Sequence, residues 1–295
     1  MSSALAGGTR GFRRRQEIAH PTAFRRQFLH HHGAQAGLAL ATLLLVIVIF
    51  APLVTQNPNS TNYALPLASP SFAHFLGTDD AGRDEFARVM AGARTTVGAA
   101  GLIFLIEISI GLVVGLCTGL SGGRVDSIGA RIIDVLLGLP SLVVALAVVG
   151  ALGPGFWNLV LAMSITGWAY LARLTRGHVL GSLTRPDVVA ARMAGVHPVR
   201  TAIGHIVPGV VIQVLIAATM RLGDIIVGLA GLSFLGLGAQ PPLAEWGQML
   251  SESQIYLGIA PWLSIGPALG IMLSVAAATL VSDAMRDISD PATRR

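Results

Sequence analysis

Three ionisable residues lie inside long apolar runs of this 295-residue chain. Charge inside such a run is costly and therefore usually has a task. Glu107 interrupts one run, and Arg221 and Asp224 lie three residues apart in another, where they could pair on one helix face. The three could line a path for a polar solute, close the helix bundle, or contact a second membrane subunit. A paired charge needs no ligand, so closure is the favoured interpretation for Arg221 and Asp224, whereas Glu107 stays open.

The basic residues exclude several kinds of chemistry. All 20 of them are arginine, and the chain contains no lysine. A phosphate-binding loop of the form G-x-x-x-x-G-K-[ST] needs a lysine, so the chain has no such ATP site, and Schiff-base chemistry is excluded too. The single cysteine, Cys117, can form neither an internal disulfide nor a cysteine-rich zinc site. We therefore predict no catalytic residue, no metal site and no nucleotide site.

The apolar runs are long enough to be membrane-spanning helices. Hydrophobic residues make up 53% of the chain and charged residues 12%, whereas soluble domains carry about 25% charged residues. A spanning helix needs about 20 mostly apolar residues. Gly153-Pro154-Gly155 divides one very long run into two helices. The predicted fold is an all-α polytopic membrane protein with six transmembrane helices near residues 36–54, 95–120, 132–151, 157–174, 206–237 and 262–281.

The distribution of arginine predicts the orientation of these helices. Six spans place both termini on one side of the membrane. If that side is the cytoplasm, sixteen arginines lie in cytoplasmic segments and only Arg83, Arg88 and Arg94 lie outside, as the positive-inside rule requires. The predicted organisation is a cytoplasmic tail 1–35, a first transmembrane helix 36–55, an extracytoplasmic loop 56–94, a core domain 95–285 with a cytoplasmic loop 175–206, and a cytoplasmic tail 286–295.

Several local features refine this organisation. The stretch Thr22–Leu29 resembles a twin-arginine export signal, but five further spans follow the first run, so we interpret its arginines as a helix anchor.

Residues 78–90 can form an amphipathic helix at the membrane surface. Gly111, Gly115 and Gly119 favour close packing, within the chain or against another subunit. Bends are possible at two prolines, Pro140 and Pro208.

The loop 175–206 contains the signals of a short helix. Thr184 and Asp187 have the spacing of a capping box. Gly195 is the kind of residue that ends a helix. We predict a helix near residues 185–194, exposed to the cytoplasm. Its surface carries small side chains, which suit either docking to another protein or packing on its own bundle.

A family resemblance decides between these two uses. Val189-Ala-Ala-x3-Gly195, continuing to Ile206-Val-Pro208, resembles the EAA loop of ATP-binding-cassette importer permeases, with valine at the position where that motif has glutamate. In that family the loop forms a coupling helix that lies in a cleft of the ATPase subunit. The resemblance implies that the ATPase-coupling residues are Pro186, Asp187, Val189, Ala190, Ala191, Arg192, Ala194, Gly195 and Pro198.

Three other segments narrow the resemblance to one branch of the family. The segments His74–Asp84 and Gly231–Pro242, the latter followed by Glu245–Met249, resemble signatures of the second permease subunits of dipeptide, oligopeptide and nickel importers. Met285-Arg-Asp near Asp290-Pro resembles the C-terminal end of that branch. The likeness covers roughly residues 70–292, and its motifs occur in the same order as in the family.

The resemblance implies the fold, the location and the partners. The fold would be that of a type I ABC importer permease, multi-pass in the bacterial inner membrane, with cytoplasmic N- and C-termini. The partners would be membrane lipid, a homologous second permease that completes a heterodimer, two ATP-binding cassette ATPase subunits that hold ATP and Mg²⁺, and an extracytoplasmic substrate-binding protein that contacts loops 56–94 and 238–261. No nucleic acid is expected.

The expected cargo is a dipeptide or oligopeptide, with nickel or glutathione as alternatives in the same family. An ATP-independent secondary transporter is the remaining alternative class. Such a transporter often shows an inverted repeat or an acidic relay, and neither is evident in this sequence.

Overall fold

The computed structural model describes residue 28 and residues 30–289, and the regular structure in this part of the chain is almost entirely helical. Most of Thr22–Leu29, together with Asp290-Pro291, lies outside these residues. The helices are α1 (His32–Val54), α2 (Glu85–Ser121), α3 (Gly123–Gly138), α4 (Ser141–Leu152), α5 (Phe156–Ser182), α6 (Pro186–Met193), α7 (Pro198–Thr201), α8 (Val207–Phe234), α9 (Trp246–Ser253) and α10 (Trp262–Ser289). A π-helical turn, Ala202–Ile206, joins α7 to α8.

Four helical segments of the described chain are long and apolar enough to cross a membrane: α1, α2, α7 to α8, and α10. Helices α3 and α4 meet the same criterion only as a pair, and they are bent by 87°. Helix α5 is long enough, but it carries Arg173 and Arg176 in its second half. The structure therefore confirms the all-α membrane architecture with four or five apolar spans. The sixth span stays a prediction.

The predicted helix at residues 132–151 is wrong as a single element. The chain breaks at Leu139-Pro140, between α3 and α4. Leu139 is extended, with a ψ angle of 133°, because the proline ring disfavours the helical conformation of the residue before it. The bend that the sequence allows at Pro140 is therefore confirmed, and it amounts to 87°.

The predicted surface helix at residues 78–90 is also wrong. Helix α2 starts at Glu85, ten residues before the predicted span, and continues without a break to Ser121. The Asp84 side chain caps it by accepting a hydrogen bond from the Ala87 N–H across 2.8 Å. The residues before Asp84 instead fold against the helix ends. We call residues 56–84 and 238–261 together the cap, since both segments lie at the same end of the bundle.

The glycine ridge of α2 packs against α5. A β-carbon at Gly115 would lie 2.6 Å from the carbonyl oxygen of Ala172, and one at Gly119 would lie 2.8 Å from the Val179 β-carbon. Real β-carbons do not approach so closely, so only glycine permits this separation of the two helices. The predicted close packing is therefore confirmed, and its partner lies within the chain.

Candidate functional sites

A polar cavity of about 270 Å³ lies beside the middle of α2 and α8. It brings together the three ionisable residues that the sequence places inside apolar runs. Helices α4 and α5 complete its wall. The lining residues are Glu107, Ser141, Leu142, Ala145, Met163, Thr166, Arg221, Asp224, Ile225, Gly228 and Leu232.

The ion pair in this cavity joins two helices. Arg221 of α8 reaches Glu107 of α2, with Nε and Nη2 each 3.3 Å from Oε2. The Arg221 guanidinium also lies over the Tyr170 ring, 5.6 Å from its centroid. No ion pair joins Arg221 to Asp224 within the described residues, so the expected pairing of these neighbours is wrong. The reason is burial: Glu107 is 2% exposed and needs a cation more than the exposed Asp224 does.

The position of Glu107 depends on a glycine of α5. The carboxylate of Glu107 lies against Gly167, and a β-carbon at that position would overlap it. Gly167 itself is buried in the α2–α5 interface. Sequence reasoning missed this residue, because a lone glycine in a helix carries no sign of what packs on it.

The connection from α5 to α8 contains the predicted short helix. Helix α6 covers Pro186–Met193, against the predicted 185–194, and Gly195 ends it with a φ angle of +75° that suits glycine. All nine coupling residues predicted from the resemblance lie on or beside α6. Eight of them are exposed and Ala191 is half-buried.

The capping box predicted for α6 is absent. The Thr184 hydroxyl donates to the carbonyl oxygen of Gly181 across 3.1 Å, and so it belongs to the end of α5. Asp187 instead forms an ion pair with Arg185 at 2.8 Å and lies 3.9 Å from Nδ1 of His205 in the π-helical turn. The spacing in the sequence predicts a cap, but the carboxylate of Asp187 is instead paired with Arg185, the residue just before α6.

One residue of α6, Val188, attaches it to the bundle. Its side chain is fully buried in an apolar cluster that includes Val179, Ile206 and Val210. The adjacent Val189 is 40% exposed. A pair of valines in a two-turn helix does not show which one points inward, so sequence reasoning missed Val188. Helix α6 is consequently fixed to α5 and α8 on one face and open on the other.

Arginines of α5 hold α3 beside the same end of the bundle. Arg176 makes a bidentate pair with Asp126, with nitrogen–oxygen distances of 2.5 and 2.8 Å. The same helix pairs Arg173 with Asp134. In the sequence, these arginines are evident only as part of the positive-inside bias. In the structure they also position α3.

The cap contains a buried cluster of charged residues. Arg88, only 1% exposed, lies 3.3 Å from Asp79 and 2.9 Å from Glu252. Arg83 pairs with the same Asp79 at 2.6 Å. Three of these residues come from the N-terminal half of the cap and the start of α2, and Glu252 comes from α9. The cluster therefore joins the two segments of the cap, which gives a structural reason for the His74–Asp84 motif.

Trp246 anchors the second cap segment between α2 and α10. Its ring is 2% exposed, and its Nε1 donates to the carbonyl oxygen of Val89 across 2.9 Å. A β-carbon at Gly92 of α2 would lie 2.9 Å from this ring, and one at Gly270 of α10 would lie 2.6 Å from it. The absence of side chains at these two glycines thus makes room for the indole ring. Glu245, before it, caps α9 by accepting from two backbone N–H groups.

A weaker contact also connects the two segments of the cap. The Tyr256 hydroxyl donates to Oδ2 of Asp80 across 3.5 Å. The charge of the Asp80 carboxylate raises the pKa of Tyr256 above its ordinary value, because a phenolate beside a carboxylate is disfavoured. The turn after α9 is thereby held near the first cap segment.

Apolar spans surround a cavity with charged residues in its wall, and an exposed helix lies at the opposite end from an ordered cap. These features define a polytopic membrane protein. The chain belongs to the family described as binding-protein-dependent transport system inner membrane component, which matches residues 111–295. Residues 22–70 match a second family, the N-terminal TM domain of oligopeptide transport permease C.

Relatives named for three different cargoes are similar over most of the chain. The nickel transport system permease protein NikC of Escherichia coli K12 is 36% identical over 86% of this chain and 94% of its own. The dipeptide transport system permease protein DppC of Alkalihalophilus pseudofirmus is 37% identical, covering 88% and 85%. The glutathione transport system permease protein GsiD of Pectobacterium atrosepticum is 39% identical, covering 91% and 90%. The chain is thus a multi-pass inner-membrane permease subunit of an ABC importer.

Proposed function

We propose that this subunit forms, with a related second permease, the translocation path of an importer for dipeptides or oligopeptides. The observation that carries the proposal is the cavity at Glu107, Arg221 and Asp224, which places polar groups between apolar spans. The peptide cargo is supported by the matches to an oligopeptide permease domain and to a dipeptide permease. Nickel and glutathione are second candidates, because permeases named for those cargoes are similarly close.

Helix α6 is the proposed contact with the ATPase subunits. Its exposed face presents Val189 and Ala190, which a partner can approach closely, and its buried face is fixed through Val188 to α5 and α8. A displacement of α6 would therefore move both helices, and α8 carries two of the charged cavity residues. The two ATPase subunits would hold ATP and Mg²⁺, and this chain would hold neither.

The same proposal sets the orientation. The end of the bundle with α6 faces the cytoplasm, together with both termini, and the cap faces outward. The cap would receive the substrate-binding protein. The buried Arg88 of α2 supports this role, since its pairs with Asp79 and Glu252 hold the two cap segments together as one surface.

Co-purification tests the coupling step. The subunit would be expressed with the second permease and the ATPases encoded beside it, and the ATPase retained on the purified permease would be measured. Ala190→Asp, which places a charged side chain on the exposed small-residue face of α6, should reduce the retained ATPase at least tenfold and abolish ATP-dependent peptide uptake in proteoliposomes. Leu257→Asp, an exposed change in the cap, is the matched control and should leave ATPase retention unchanged. Full retention and uptake with Ala190→Asp would refute the assignment of α6.

A further inference from the structure

Asp224 differs from the other two charged residues of the cavity in having no partner. The side chain is exposed, it lines the cavity, and no hydrogen bond or ion pair of the described residues involves it. Arg221, three residues earlier on α8, is directed to Glu107 by two nitrogen–oxygen contacts of 3.3 Å and is further held by Tyr170. The guanidinium of Arg221 therefore already has a carboxylate partner in Glu107.

The cavity wall has a net negative charge. Two carboxylates and one guanidinium line it, and its other polar side chains are the hydroxyls of Ser141 and Thr166. The rest of the wall is apolar, and the side chain of Asp224 is open to the cavity. A cationic group entering the cavity would therefore meet a carboxylate that no cation of the described residues pairs with.

We infer that Asp224 is a specificity-determining residue that binds the free ammonium group of the cargo as it passes through the cavity. The inference rests on the proposed function, in which this cavity is part of the path, and deepens it by naming the cargo class: solutes with an unblocked primary ammonium. The Glu107–Arg221 pair acts as a positioning contact that keeps the guanidinium away from Asp224. Because the Glu107 carboxylate pairs with Arg221, it also reduces the repulsion between Arg221 and the incoming ammonium group.

The charge preference of the cavity can be measured without transport. Ser141→Cys in a Cys117→Ser background places one thiol on the cavity wall of the assembled complex. The ratio of its labelling rates with a cationic trimethylammonium thiosulfonate and an anionic sulfonate thiosulfonate reports the local potential. Adding Asp224→Asn should lower this ratio about tenfold. Asp224→Glu should retain it, and so should Asp283→Asn, an exposed aspartate that does not line the cavity. An unchanged ratio with Asp224→Asn would overturn the inference, including the case in which a basic residue of the second permease already neutralises Asp224.

Uptake of radiolabelled alanyl-alanine in proteoliposomes supplies the second measurement. Asp224→Asn should reduce uptake at least tenfold and Asp224→Glu should restore most of it, with ATPase co-purification as the check on assembly. Uptake by Asp224→Asn equal to that of the unaltered complex would overturn the inference while the proposed function stands. If the unaltered complex imports no peptide, the proposed peptide function fails, and the labelling ratio still decides whether the cavity prefers a cationic group.

Discussion

Thr96 of α2 donates a hydrogen bond to Oε1 of Glu245 across 2.9 Å, although 149 residues separate the two. The same hydroxyl oxygen accepts from the backbone N–H of Trp246 across 3.1 Å. Thr96 and Glu245 are both fully buried. One threonine therefore connects the longest helix of the described chain to the point where the second cap segment turns into α9.

Thr96→Val should destabilise the protein by about 1–3 kcal/mol, because it leaves a buried carboxylate oxygen and a buried N–H short of a partner. Equilibrium unfolding of the purified complex in detergent would measure the loss. Thr95→Val is the matched control, since the Thr95 hydroxyl bonds only within its own helix. Equal stability of the two variants would show that the contact between Thr96 and Glu245 contributes nothing.

Gly115→Ala should separate α2 from α5. The new methyl group would meet the Ala172 carbonyl and Thr175, and overpacking of this kind costs about 1–3 kcal/mol. Gly101→Ala, on the same helix but facing open space, should instead be neutral or stabilise by roughly 0.5–1 kcal/mol. The midpoint of thermal unfolding would distinguish them. A Gly115→Ala variant as stable as the Gly101→Ala variant would contradict the packing described here.

The pair of Glu107 and Arg221 should show strong coupling in a double-mutant cycle. Arg221→Gln alone leaves the buried Glu107 carboxylate without its cation, and loss of one partner of a buried pair costs about 3–5 kcal/mol. Glu107→Gln combined with Arg221→Gln should recover most of that loss, because no charge is then stranded. Unfolding free energies of the four proteins measure the coupling. Additive effects of the two changes would mean that the ion pair does not form.

Val188→Ala should loosen α6 from the bundle. Removing two buried methyl groups costs about 2 kcal/mol, and the cost falls on the contact of α6 with α5 and α8. Hydrogen exchange of the residues 185–206 should accelerate, whereas Val189→Ala on the exposed face should leave exchange in the isolated permease unchanged. The reverse result would mean that the two valines have exchanged roles.

Local signals in the sequence were sufficient for several elements. The apolar runs predicted α1 and α10 to within a few residues at one end, and Gly153-Pro154-Gly155 separates α4 from α5 as expected. The short helix α6 was also predicted from nearby residues: Gly195 ends it as expected, although the capping box predicted for its start is absent. In each of these cases the determining interactions lie within a few residues of the element.

Contacts between distant segments were not predictable in the same way. Arg221 and Glu107 are 114 residues apart, and which carboxylate the guanidinium reaches depends on how α2 and α8 are placed. Asp224 is closer along the chain and was therefore the natural choice from spacing alone. The starting point of α2 was missed because Asp84 was assigned to the interior of a surface helix, whereas its side chain caps α2 and also contacts His74 of the cap.

The uninterrupted length of α2 has a mechanical consequence. Its 37 residues make a rod about 55 Å long, well beyond the roughly 30 Å of the hydrocarbon layer. One end carries Arg88, which pairs with the cap residues Asp79 and Glu252, the middle carries Glu107, and the far end carries the glycine ridge against α5. A rod held in this way works as a lever, so that a tilt of about 10° at the glycine ridge would swing the other end by about 8 Å. Opening of the cavity and displacement of the cap would then be a single movement.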